Sequence, residues 1–140
     1  MDKRKVQSVI FYCDANNKKH FLLLKVNKRR GLFWQNSTGS VESDEKYLEA
    51  AKREAVEETG LSLNNILKVT PTSLEFSFKD QWGAQALEKV FYIHCKQQWN
   101  VELDSSEHCE FQWMIEDEFN SNILKYESNT QSVLKCMEDV

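Results

Sequence analysis

The chain has 140 residues, 41% hydrophobic and 29% charged, enough to fill the core of one compact domain over residues 1–140 without covalent staples. A formal charge of −4 excludes a broad electrostatic footprint for extended nucleic acid and leaves a small anionic ligand, held by a local basic cluster, as the expectation. Cys13, Cys95, Cys109 and Cys136 form no CxxC pair and lie at no short spacing from His20, His94 or His108, so neither a disulfide framework nor a zinc site is signalled; reduced thiols in a cytoplasmic protein are expected.

Val6 to Tyr12 and His20 to Val26 read as two strands joined by the turn-forming Asp14-Ala15-Asn16-Asn17. Apolar runs here, such as Phe21 to Leu24, are far too short to cross a membrane. Further strands are expected at Leu67 to Thr70, Ser73 to Phe78, Lys89 to Cys95 and Phe111 to Met114, several of them rich in aromatic or β-branched residues. Phe76, Phe78 and Tyr92 alternate as core residues of such strands should. A short helix is expected within Glu116 to Leu124, and a second one after a Ser128 cap, with Val133, Leu134 and Met137 on its apolar face. Strands before, between and after helices predict an α/β architecture with a mixed sheet.

The most informative segment lies between the early and middle strands. Asp44 to Glu58 predicts one long helix, capped by Ser43 and stopped by Gly60. At 100° per residue, with Glu54 at zero, Tyr47, Leu48, Ala51 and Ala55 fall between about 20° and 120°, an apolar stripe suited to packing on a sheet. Glu57, Glu54 and Glu58 fall at about −60°, 0° and +40°, beside that stripe. Three carboxylates in one sector repel one another, and at a helix C-terminus the macrodipole opposes them too, each effect amounting to a few tenths of a kcal/mol up to ~1 kcal/mol. Glutamate-rich helices are common as solvated faces. Clustered oxygen ligands are also what a hard cation such as Mg²⁺ requires, and Arg53 can pair with only part of the charge.

The wider spacing decides between these readings. Gly39, five residues, Glu45, seven residues, then Arg53-Glu54-Ala55-Val56-Glu57-Glu58-Thr59-Gly60-Leu61 resembles the complete Nudix box. Seven fixed residues, each at a background frequency near ~6%, would coincide by chance about once in 10⁸ to 10⁹ windows.

The resemblance implies a Nudix-type α/β/α sandwich with a mixed sheet and a loop-helix-loop catalytic box. It further implies a hydrolase of phosphoanhydride bonds using Mg²⁺, with Mn²⁺ as the alternative. Carried over by position, Glu54, Glu57 and Glu58 are the metal ligands, joined by the backbone carbonyl of Gly39; Arg53 orients a carboxylate, and Glu45 supports the helix start. Beyond the box, Phe33-Trp34-Gln35, Thr38 to Glu42, Glu107-His108 and Trp113 are similar to bacterial dihydroneopterin-triphosphate and dNTP pyrophosphohydrolases of that family. This implies a nucleoside or pterin triphosphate as substrate, with pyrophosphate released. Dinucleoside polyphosphate or nucleotide-sugar hydrolysis by the same metal site is the alternative, and a non-catalytic nucleotide-sensing domain a more distant one. A homodimer is compatible with each. Many relatives carry arginine where Val26 ends the second strand here, so Lys28, Arg29 or Arg30 is expected to contact phosphate unless all are solvated loop cations. Trp34 is either a stacking platform for a base or a rim aromatic. For the general base the box offers Glu54, the segment before the last strand offers Glu107, and Glu88 competes; His108 is expected to be structural.

Overall fold

The computed structural model describes residues 3–80 and 82–140. Among the described residues, seven strands and two α-helices follow as β1 (Lys3–Cys13), β2 (Lys19–Val26), β3 (Trp34–Gln35), β4 (Ser37–Ser40), α1 (Tyr47–Thr59), β5 (Ile66–Lys79), β6 (Gln85–Cys95), β7 (His108–Ile115) and α2 (Glu127–Asp139). β1 lies parallel to β6, while β1–β2, β1–β4, β2–β3, β2–β7 and β5–β6 are antiparallel, so the sheet is mixed. β2 pairs with β1 only at its start, through Lys19 to Phe21, and with β7 from His20 onward, while β3 takes up its other edge at Leu24 and Lys25 as it diverges from β1. β4 occupies the vacated edge of β1, with Ser37 opposite Ser8 and Ser40 opposite Lys5.

The period-two alternation of β1 divides the interior between two faces. Val9 and Phe11 pack with Val133 and Cys136 of α2. Val6 joins Ala50 and Ala51 of α1, and Ile10 joins Ala55. The helices therefore cover opposite faces of the sheet, the three-layer sandwich that the sequence predicts. No helix is long and apolar enough to cross a membrane among the described residues.

Several expected boundaries move. The helix predicted from Asp44 begins at Tyr47, because the preceding carbonyls are already engaged. The Arg4 guanidinium donates to the carbonyls of Glu45 (2.8 Å) and Glu42 (2.6 Å), holding Ser43 to Glu45 as a turn. The N-cap is thus Lys46 rather than Ser43, and the Glu49 carboxylate accepts from the Lys46 amide at 3.2 Å. The helix is also rotated on the sheet relative to its apolar stripe: Ala50, Ala51, Ala55 and Glu58 are buried, whereas Leu48 is 37% exposed. In α2, Ser128 lies inside the helix and Leu134 points outward, while Asn129, Thr130 and Ser132 are buried with Val133. Glu116 to Leu124 shortens to a single 3₁₀ turn, Glu116–Glu118. The two middle strand segments are one strand, β5, whose register against β6 shifts between Pro71 and Glu75, where the sequence reads as a break. Phe78, expected in the core, is 40% exposed.

Candidate functional site

The site is built around β3–β4, where the chain steps from pairing with β2 to pairing with β1. Gln35, Asn36 and Ser37 are all buried, and each is tied to a different element. The Gln35 amide nitrogen contacts His108 Nε2 at 3.1 Å. Asn36 donates through its side chain to Gln7 Oε1 at 2.8 Å and through its backbone amide to Asn129 Oδ1 of α2 at 2.8 Å. The Ser37 hydroxyl donates to Glu58 of α1 at 2.6 Å. One short segment thus fixes β7, α2 and α1 together, satisfying polar groups that would be expensive to bury alone.

On the α1 face, Arg53 gathers the carboxylates. It donates to Glu45 at 2.7 and 2.9 Å, to Glu54 at 2.8 Å, to Glu57 at 3.3 Å and to the Ser40 carbonyl at 2.9 Å. Hydrogen bonds from Arg53 hold the Glu45 carboxyl down at about 2. Glu54 is instead raised, chiefly by burial and despite Arg53, with Glu57 and Glu107 adding to the effect. Glu58, only 2% exposed, is pushed up to about 8 by burial, against the lowering pull of the Ser37 hydroxyl and with repulsion from Glu54 and Glu107. Glu57 has its side chain 57% exposed and faces outward. Gly39 lies against this group so closely that a Cβ built there would overlap the Glu54 carboxyl; any side chain at position 39 would displace it. Gly60 ends α1 with φ +70°, the left-handed conformation expected at a helix stop.

The segment before β7 brings Glu107 to the same place. Ligand-type atoms of Glu58, Glu107 and His108 all lie within 4.8 Å of one another. His108 is held neutral, its pKa lowered to about 4 by burial and then by Arg30, and its Nδ1 is buried without a hydrogen-bond partner among the described residues. Arg30 reaches Glu107 at 3.4 Å. Glu88 lies elsewhere: its neighbour Val90 packs toward α2, so Glu88 shares that face, and its Oε1 accepts from Gln7 at 2.8 Å. Glu54, Glu58 and Glu107 thus converge, with Glu57 tied to Glu54 through Arg53 at the outer edge, and Glu88 does not join them.

A divalent cation fits this donor set. Hard oxygen donors are crowded together, two of them are raised by burial and mutual repulsion, and Arg53 neutralises only part of the charge. Glu54, Glu57 and Glu58, with the Gly39 carbonyl, are the groups that could hold it.

On the opposite face a cleft of about 1020 Å³ opens beside Thr38 and Gly39. Phe33 and Tyr126 meet edge to face on one side, with Lys125 over both rings; Phe76, Phe78 and Trp82 form the other side. Arg29 and Arg30 lie at its rim, whereas Lys28 is exposed and outside the lining. Trp34 is not part of this lining either: it is half-buried against the α2-side core, and the aromatic presented to the cleft is its neighbour Phe33. Val26 is fully buried, which leaves the basic role near β2 to the arginines of the following turn. Gln7, Asn36 and Tyr126 escape sequence reading because the chain brings them together from distant segments, and Phe33 enters it only through the resemblance. The one local hint is three consecutive polar residues, Gln35 to Ser37, just before the box.

The NUDIX domain family profile matches residues 3–135. The chain belongs to the Nudix family. It is a hydrolase acting on phosphoanhydride bonds. Similar solved structures include a Listeria monocytogenes protein assigned as a NUDIX hydrolase, 25% identical, with a TM-score of 0.77 over 96% of this chain and 91% of that one. The Escherichia coli dihydroneopterin triphosphate pyrophosphohydrolase shares 20% identity and a TM-score of 0.79, over 98% of this chain and 96% of its own. A Caenorhabditis elegans Ap4A hydrolase complex shares 22% identity and a TM-score of 0.75, over 99% of both chains. The last two likenesses describe fold. No protein of curated function matches the chain.

Proposed function

We propose that this Nudix hydrolase is a Mg²⁺-dependent pyrophosphohydrolase, releasing pyrophosphate and a monophosphate from a nucleoside or pterin triphosphate. The observation that carries this reading is the adjacency of the carboxylate cluster to an aromatic-sided cleft through Thr38 and Gly39. A triphosphate whose phosphates face Glu54 and Glu57 has its ring system directed toward Phe33 and Tyr126.

The bound cation would supply charge neutralisation at the phosphates and acidify attacking water. The protein's own residues do the rest. Arg53 keeps Glu54 and Glu57 aimed together, and Gly39 leaves space for them. Arg29 and Arg30 contribute positive charge at the rim, where a phosphate tail enters. Glu107 takes the proton from the attacking water: it stands beside Glu58, and it is reached by Arg30 at 3.4 Å rather than held by Arg53. The same metal site would serve dinucleoside polyphosphates, the alternative that the substrate panel separates.

A substrate panel with purified protein tests this reading. Pyrophosphate plus monophosphate from a triphosphate in Mg²⁺, with no turnover in excess chelator, is the expected result. Orthophosphate plus diphosphate would reject the assigned bond, and full turnover in chelator would reject the metal site. Mg²⁺ should also raise the melting temperature of the wild type, because a ligand bound only by the folded state stabilises it.

A further inference from the structure

Glu88 is a carboxylate with no part in the hydrolysis just described. It is 7% exposed and lines the cleft floor on the α2 face, between Lys5 of β1 and Phe76 of β5, its register partners. Its Oε1 is fixed by Gln7, which is itself fixed by Asn36, and Asn36 by Asn129. Its other oxygen accepts no hydrogen bond among the described residues. A carboxylate held by one amide that two further amides brace, lining a cleft with aromatic sides, is an acceptor awaiting donors from a flat ring.

We propose that Glu88 is a specificity-determining residue that reads the 2-amino-4-oxopyrimidine edge common to guanine and pterins, resting on the reading of the cleft as the seat of the ring system. That edge places a ring N–H beside an exocyclic NH₂, two adjacent donors that a carboxylate accepts together. Adenine and cytosine place a ring acceptor beside their amino group, so one oxygen would meet a lone pair. Uracil and thymine flank their single N–H with carbonyls. An acceptor-only group distinguishes these patterns, because a mismatched edge leaves a buried charge unpaired. Gln7 and Asn36 act behind Glu88 as positioning residues.

The sharpest probe pair is guanine against hypoxanthine, which differ only by the 2-amino group. In EDTA, with no hydrolysis, wild-type protein should bind dGMP roughly 10- to 100-fold more tightly than dIMP by calorimetry, the range for one charged hydrogen bond. In Mg²⁺ the same ratio should appear between dGTP and dITP, carried mainly in KM. Glu88→Gln preserves an acceptor for Gln7 and should bring both ratios close to one. Parallel assays with dihydroneopterin triphosphate and dGTP tell the two sources of the edge apart: a lower KM for either over dATP supports the proposal and names the source. Equal binding of dGMP and dIMP by the wild type would overturn it, as would a preference for dATP or an unchanged ratio in folded Glu88→Gln. If dGMP is preferred yet no triphosphate is turned over, the hydrolytic reading fails and this one stands.

Discussion

The two faces of the sheet solve different problems with different chemistry. The α1 face concentrates charge: four carboxylates and one guanidinium within a single helix and its approach, arranged by ion pairs. The α2 face carries neutral amides and aromatic rings drawn from β1, β3, β5, β6 and α2, with a single buried carboxylate. The ion-paired carboxylates of the α1 face are therefore mostly written locally in the chain, whereas the polar and aromatic groups of the α2 face are assembled from segments far apart. Substitutions on the first face should act on kcat and on cation binding, and those on the second on KM and on stability.

The largest effect should come from Glu57→Gln. It removes a ligand charge and a local repulsion together, so turnover should be lost while the fold and the dGMP affinity in EDTA persist. Wild-type turnover in that variant would break the assignment of the α1 face. Glu107→Gln should lower kcat by about 10²-fold or more with KM little changed, the scale for losing a general base. A loss under threefold would return that role to Glu54.

Asn36→Ala probes the join between the faces. It leaves Gln7 Oε1 without its donor in a buried setting, and should cost about 1–3 kcal/mol of stability, read from denaturant midpoints. An effect no larger than that of an exposed substitution would show that the two faces are independent.

The smallest expected effect is a pH slope. In the metal-free protein Glu58 titrates near 8, well above an unfolded glutamate at about 4.3, so between these values the folded chain holds the extra proton. Stability conferred by the protonated carboxyl is complete below the unfolded value and is lost as pH rises through about 8. The melting temperature in EDTA should thus fall by several degrees between pH 5 and 8, and Glu58→Gln should flatten that slope.

This division also explains what could be read before folding was considered. The box is contiguous, its glutamates lie at helical spacing, and their shared sector follows from 100° per residue alone. β1, β2 and β6 announce themselves by apolar runs. The rotation of α1 does not, because hydrophobicity places Leu48 inward, whereas docking of Glu58 onto Ser37 turns Leu48 out. Nor does the two-residue strand β3, too short for any periodicity. Phe33 rather than Trp34 faces the cleft, a matter of which side of a two-residue strand each residue adjoins. Gln7 carries no motif; it sits within a strand that reads as core, and only the diverging path of β2 opens room for Asn36 beside it.

The polar bridge from Gln35 to Ser37 has a kinetic consequence. Its bonds to Glu58, Gln7, His108 and Asn129 span 21, 29, 73 and 93 positions of sequence. Closing such long loops is entropically slow, and the last of them requires α2, the final helix of the chain, to have docked. The expectation is that the bridge forms late, after the main folding barrier, which kinetic measurements on its variants would check. Substitutions within it should accelerate unfolding while leaving the folding rate nearly untouched, so a nascent chain can become compact well before it becomes competent to bind substrate.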